Sequence, residues 1–568
     1  MTKNMKTRIS ILFALLAAFG IAGCSDYLDL TPTDRITDKS VWEKEEYTDL
    51  YVNNFYEYLN IYGPFGSEQF NGNLTEGLTD TFKYGSTQLG SRAGDCNHYV
   101  FSPEVISPSG NLLDCWAPTY ERIRRINEFL DAMTKYSHYS SEVNTRYEAQ
   151  ARFFRAFLYF QLARRYNGRA IIYTSLDQIV RDIDLASAAA TWQFIYDDLM
   201  FAAQNLPDEW TSAHKGRTTS AAAYAMLSRV MLYAERWNDA KAAAEMVLAS
   251  GKYSLTGKYA DAWKGGNPES ILEFNYLVTG PNHSWDRYMS MFWEYPNGSA
   301  STPTQEMVEE YEAADGTPVD WSPWHTAEGT TQYPPYEQLE PRFAATILYN
   351  GATWQGKTVE NCAIVKRDEQ IKPARVNIGT YTDYDSEPYP YGKTVTGYYL
   401  RKLRQESLTD LSNVASSSTW VEIRLAEVYL NHAEACYQLG LSGDAVQSLK
   451  AVRDRVGLPT DSSLSGEALF AALRHERKVE LSYEGHLWWD MRRWRLAQQD
   501  YTGYRTHGIK IDLIDIYVDG YQAGNYKFTY VDCDGQDRKF LPRMYSLPVP
   551  DSELQNNSKI RQFDEWNF

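Results

Sequence analysis

The chain of 568 residues lacks the basic surface on which nucleic-acid binding depends. Its 56 Lys and Arg face 74 Asp and Glu, a formal net charge of −18, and phosphate recognition needs a cationic face. Histidine is scarce, nine in all, and none falls in His-Glu-x-x-His or another metal-ligating spacing. Six cysteines, Cys24, Cys96, Cys115, Cys362, Cys436 and Cys533, are scattered too widely for a zinc motif. The Gly-rich piece Gly63–Gly66 has no Lys-Ser/Thr after it, so it is no phosphate cradle. Long hydrophobic runs are missing too. The run Ile9–Phe19 is too short to span a bilayer as a helix, and no other approaches ~18 residues.

What is present begins at the N-terminus. Lys3, Lys6 and Arg8 precede Ile9–Phe19, and then comes Ile21-Ala22-Gly23-Cys24. Charge, apolar run and small residues in that order read as a secretory signal over residues 1–23. A cysteine directly after the small residues is the lipobox pattern of bacterial lipoproteins. The mature protein is therefore expected to start at Cys24, lipidated, and to touch the membrane through that anchor only. With Cys24 so used, five cysteines remain and at least one is unpaired. Cys96 and Cys115 flank a loop-like stretch and could pair in an oxidising compartment or stay apart. Cys436 lies on an apolar helical face and reads as core.

Tyr and Trp, 43 and 16, outnumber the 22 Phe. Such rings suit half-wet positions, with an apolar face and a polar edge. They fit a large core, or a surface that stacks on the C–H faces of sugars. Apolar spacing predicts helices near 41–59, 118–135, 143–166 and 191–205, then helix pairs over 220–250 and 421–456. In the first of these pairs Tyr233 precedes Asp239-Ala240; in the second Tyr437 precedes Asp444-Ala445. Val247 and Val452 each follow their Asp at equal distance. Units of about 35 residues with small residues at helix crossings are the tetratricopeptide (TPR) signature. Such units must stack to bury their faces. Two long irregular stretches, 61–116 and 255–419, interrupt the helices, with strand-like pieces at Ser270–Val278 and Gly397–Leu403. Long loops in a compact protein are usually functional.

Five collinear stretches resemble the SusD-like (RagB/SusD) family of outer-membrane nutrient-binding lipoproteins. They are Cys24–Pro32, Glu148–Phe160, Arg424–Ala435, Arg474–Trp494 and Leu547–Leu554. The C-terminal Trp566-Asn567-Phe568 and the segment Ala170-Ile171-Ile172 depart from the family pattern. The resemblance implies a single domain over 24–568. It would be mainly α, with four TPR-like helix pairs, a large loop-rich and partly β ligand-binding region, and a C-terminal helix and hairpin within 466–568. It also implies a partner, a SusC-like TonB-dependent outer-membrane transporter, and a surface-facing location on the outer membrane.

Exposed-looking rings crowd one aperiodic segment: Trp285, Trp293, Tyr295, Trp321, Trp324, Tyr333 and Tyr336. Tyr84, Arg92 and Asn97 lie in the earlier loop, from which the family also draws ligand contacts. These are the expected ligand-binding residues. Glu476, Glu480 and Glu484 put three carboxylates on one helix face, as a glycoside hydrolase places its acid and base. Arg474, Arg477, Arg492 and Arg493 are near enough in sequence to pair with them, which favours a structural reading and no enzyme. Asp532-Cys533-Asp534-Gly535 resembles the start of a calcium loop, but the twelfth position is Arg543. It reads better as a hairpin turn between Tyr526–Val531 and Lys539–Leu541, and no cofactor is expected. The function anticipated is capture of oligosaccharides, with peptide ligands as the alternative and a surface glycoside hydrolase as the less favoured one.

Overall fold

The structure, a computed structural model, describes residues 44–66, 75–84, 106–110, 113–174, 183–359, 394–513 and 526–567. It also describes residues 42, 176, 361, 363 and 364, but not the pairs 292–293, 296–297, 413–414 and 535–536 nor residue 175.

Helices α1 (Glu45–Tyr62), α2 (Trp116–Tyr136), α3 (Ser141–Ala163), α4 (Ala188–Asn205), α5 (Ser220–Tyr233), α6 (Trp237–Ala249), α7 (Leu425–Gln438) and α8 (Ser442–Asp454) form the scaffold. Ser140, Ser187 and Thr219 start α3, α4 and α5 by accepting hydrogen bonds from Val143, Ala190 and Ala222 N–H, which satisfies donors that a helix end leaves open. The second half of α3, Phe153–Ala163, is buried on every side, and a helix apolar all round belongs at a centre. The helices pack in consecutive pairs. α1 meets α2 through Tyr51 and Phe55 on Phe129, and α3–α4, α5–α6 and α7–α8 pack along their lengths. The pairs stack through α2–α3, α4–α5 and α6–α7. Ala240, Ala243 and Ala244 are buried on α6, where small side chains let helix axes approach closely.

The region between α6 and α7 folds over this scaffold around a second core, which holds Trp263, Trp285, Trp321, Trp324 and Tyr336. Ser270–Phe274 pairs antiparallel with Trp420–Arg424, which runs directly into α7. The helical expectation for 421–456 is corrected at its start, because residues 420–424 are a fully buried strand. Phe82–Tyr84 pairs with Ser301–Pro303, and Ile347–Leu348 with Tyr399–Leu400.

After α8 come α9 (Gly466–Glu480) and α10 (Leu487–Arg493), then the hairpin His507–Leu513 with Tyr526–Asp532. That pairing corrects the hairpin expected between 526–531 and 539–541. Asp534 is no turn tip: it accepts from Thr506 N–H at 2.8 Å and Arg538 Nε at 2.8 Å, and it pairs with Lys83 at 3.0 Å. A buried ion cluster thus occupies the place of the calcium-like loop. No helix among the described residues is long and apolar enough to cross a membrane.

Candidate functional site

Helix α9 sets Glu476 and Glu480 one turn apart, and Glu484 follows in the next turn. All three are buried. Their partners come from elsewhere in the fold. Arg424, at the junction of the strand and α7, gives Nη1 to Glu480 at 2.5 Å and Nε to Glu484 at 2.8 Å. Arg342, on the short helix Pro341–Thr346, reaches Glu476 at 2.5 Å and Glu480 at 3.2 Å. Lys402, from the loop region, meets Glu484 at 2.6 Å. Arg453, at the end of α8, pairs with Glu476 at 3.1 Å, and Arg455 just beyond it pairs with Glu480. The arginines anticipated as partners are replaced by these. Arg477 and Arg493 pair instead with Asp490, Arg474 pairs with Glu467, and Arg492 donates to Tyr545 O.

The network has the wrong electrostatics for general acid–base work. Burial alone would raise the Glu484 carboxyl, but the Arg424 and Lys402 charges bring it down to about 2. At Glu480 burial is likewise outweighed, by Arg455, Arg424 and Arg342, and the carboxyl stays well below its usual range. A glycosidase acid needs a raised pKa and space for a sugar. Glu484 borders a void of only about 20 Å³, far below the ~300–1,000 Å³ of a ligand pocket. Cys436 is no nucleophile either. It lies 3.5 Å from His432 Nε2, and burial pushes its thiol up to about 12. Among the described residues no cluster of three or more His, Cys, Asp or Glu is arranged to hold a metal.

The rings expected on the surface are mostly inside. Tyr84, Trp285, Trp321, Trp324 and Tyr336 are all buried, which corrects their reading as exposed loop rings. Tyr84 sits in a strand opposite Ser301. Trp285 packs on Phe65, with centroids 5.1 Å apart. Trp324 gives its indole N–H to Gln332 O at 2.9 Å. Tyr336 stacks on Phe343 and shares a 2.9 Å hydrogen bond with the Tyr398 hydroxyl. The physical reason is size: the segment is long enough to enclose a core of its own, and aperiodic chain conceals which rings face it.

Tyr295 is half-buried, with the Arg287 guanidinium 4.4 Å above its ring and bonded to its hydroxyl. Tyr333 is 43 % exposed. Tyr288, 48 % exposed, was not anticipated; the turn of helix Trp285–Tyr288, which buries Trp285 and turns Tyr288 outward, is the signal that marks it. Cys24, Arg92, Cys96, Asn97 and Trp293 lie outside the described residues. Cys115 is buried at the start of α2.

Two family models match the chain. The model described as the SusD family covers residues 268–566, and one described as "Starch-binding associating with outer membrane" covers residues 26–232. The chain belongs to the SusD family. It is 22% identical to SusD-like protein P25 of Formosa agariphila, over 99% of each chain. A SusD-like protein from Bacteroides fragilis superposes with a TM-score of 0.76 at 25% identity, covering 94% of this chain and 99% of that one. A SusD-like carbohydrate binding protein, also from Bacteroides fragilis, gives 0.74 at 23% identity, with 92% and 100% covered. The mainly α fold with TPR-like helix pairs is therefore that of the family.

Proposed function

We propose that this protein is a non-catalytic, lipid-anchored glycan-binding protein of the outer-membrane surface. It captures oligosaccharides and delivers them to a SusC-like TonB-dependent transporter. Family membership carries the reading, since one of the two matching models is described by starch binding and association with the outer membrane. The carbohydrate binding relative of the same fold supports it, as does the lipobox Ile21-Ala22-Gly23-Cys24. The neutralised carboxylates of α9 favour binding over hydrolysis.

Tyr288, Tyr295 and Tyr333 are the described rings best placed to meet a sugar, with Trp293, Arg92 and Asn97 as further candidates. Each stacked ring contributes ~1–1.5 kcal/mol. Two or three, with a few polar contacts, give micromolar to millimolar affinity, weak enough to release ligand into a channel. The test is an array of oligosaccharides and peptides probed with the mature protein, with sugar release assayed in parallel. Glycan binding without cleavage is expected. Selective capture of peptides, or sugar release, would overturn the reading.

A further inference from the structure

At the base of the C-terminal hairpin, His507 and Asp532 stand opposite each other in the antiparallel register. The short helix Gln305–Glu309 packs against this end. Its Glu306 accepts the His507 backbone N–H at 3.0 Å and lies 2.6 Å from the ring Nδ1. The other ring nitrogen, Nε2, lies 3.4 Å from Asp532. Both nitrogens of one imidazole therefore face carboxylates. A neutral ring has a single N–H and must turn a lone pair toward one of them, so only the imidazolium suits both. His507 is half-buried, its ring stacked on Tyr530 at 4.4 Å. Tyr530 meets a second imidazole, His325, at 4.5 Å, and His325 Nε2 lies 2.6 Å from Glu309, one turn along the same short helix. That single contact is one a neutral ring can make.

The nearby cations have partners of their own. Arg505 pairs with Asp532 at 3.1 Å and Asp537 at 2.9 Å, and Arg538 with Asp534 at 2.8 Å. Tyr504, Tyr530 and Cys533 stay neutral, since burial raises all three. Burial works against the His507 charge, but Glu306, Asp532 and Glu309 outweigh it and raise the ring above its ordinary 6.5. Stability from this contact is therefore fully present below about pH 6.5 and is lost as pH rises through the folded value. Burial raises Glu306 too, so acid discharges the pair from the other side.

The strand Tyr526–Asp532 carries the contact to the ligand face. Thr330 and Phe528 exchange backbone hydrogen bonds at 2.8 Å, and Tyr530 N–H donates to Thr326 O at 3.1 Å. Phe528 backs the exposed Tyr333 edge-on at 5.3 Å. We propose that His507, held as an imidazolium between Glu306 and Asp532, is a pH-sensitive clasp. Closed near neutral pH, it fixes the hairpin and the segment 326–333 behind Tyr333, and it opens as the medium turns alkaline. The inference rests on the glycan-binding reading only for what Tyr333 meets; the clasp itself is tested without a ligand.

The test is hydrogen exchange of the mature protein, followed by mass spectrometry at about pH 6.5 and about pH 8.5 and corrected for base catalysis of exchange itself. Peptides from 326–333 and 526–532 are expected to exchange at least about threefold faster at the higher pH, while peptides from α3 keep one corrected rate. His507→Gln puts a neutral donor in the same place and should bring the fast exchange to both pH values. Glu306→Gln keeps an acceptor for the His507 N–H but not the charge. It should do the same, and it decides alone should His507→Gln fail to fold. Equal corrected rates in the parent at both pH values would overturn the inference, as would a pH response that survives in these variants. Either result leaves the glycan-binding reading intact, which the oligosaccharide array judges on its own.

Discussion

At the scale of single residues, two kinds of side chain carry the loop region: buried rings and buried ions. Trp321 and Trp324 meet edge-on at 5.6 Å, and Trp321 lies 6.3 Å from Tyr336. Tyr336 in turn meets the partly exposed Tyr333 edge-on at 6.0 Å, so these buried rings support it from beneath. Trp321→Ala should therefore cost ~3–5 kcal/mol of stability, as truncation of a buried tryptophan does. Ligand affinity measured well below the melting temperature should change little. A mutant as stable as the parent but weakened in glycan binding would return Trp321 to the site. The ions act differently. Arg424 touches Glu269, Glu480 and Glu484, residues from both the loop region and the segment around α9. Losing one partner leaves a charge buried and unmatched, which is the costly case.

At the scale of elements, the helix pairs were legible because periodicity and small residues report packing directly. Phe153, Ala156, Phe157 and Phe160 recur along α3, and all are buried. The pairs at α5–α6 and α7–α8 were readable for the same reason. The start of the second pair was not. Trp420–Arg424 is apolar enough to extend the helical pattern, and only its antiparallel partner Ser270–Phe274, far away in sequence, makes it a strand. Pairing across such a distance leaves no local mark. The same holds for the rings of the loop region and for the partners of Glu476 and Glu480: Arg342 and Arg424 are invisible from α9 itself. The sequence thus showed that the loop region is rich in rings, but not which of them its own core encloses. The α6–α7 contact offers a test of the stacking. Ala244 is fully buried on α6, and Ala244→Leu inserts a branched side chain into a packed helix layer. Overpacking of this kind costs ~1–3 kcal/mol, readable as a shift of the denaturation midpoint. An exposed position, Met246→Leu, should shift nothing. Equal tolerance of both changes would mean that the helix pairs are not stacked as described.

At the scale of the whole molecule, scaffold and loop region are joined by charges, and acid should separate them. Burial holds His283 down at about 4, against 6.5 for a free imidazole, and also drives His486 well below that value. Unfolded chain takes up these protons first, so stability is lost as pH falls below about 6.5. Glu484, at about 2 against an ordinary 4.5, and Glu480, lower still, extend the loss from about pH 4.5 downward. Glu76 works the other way. Burial raises it to about 7, so the folded chain holds a proton that the unfolded chain releases, which favours folding as pH falls from 7 to 4.5. Asp198, Asp286, Glu306, Glu340 and Asp500 are raised by burial as well, so the first stage is softened and the second carries the sharper loss. The second stage bears on the joint itself, because protonating Glu480 and Glu484 strands Arg424 and Arg342 in the interior. The first helix pairs depend on it less: α1–α4 are held chiefly by apolar packing, with Arg155 and Asp198 as a buried pair. On acidification from pH 7 to 2, the near-ultraviolet tryptophan signal of the second core should therefore fade before the far-ultraviolet helical signal. Glu480→Gln should move the first loss toward neutral pH. Coincident loss of both signals, or a protein equally stable at pH 7 and pH 3, would show that the buried carboxylates do not couple the two halves.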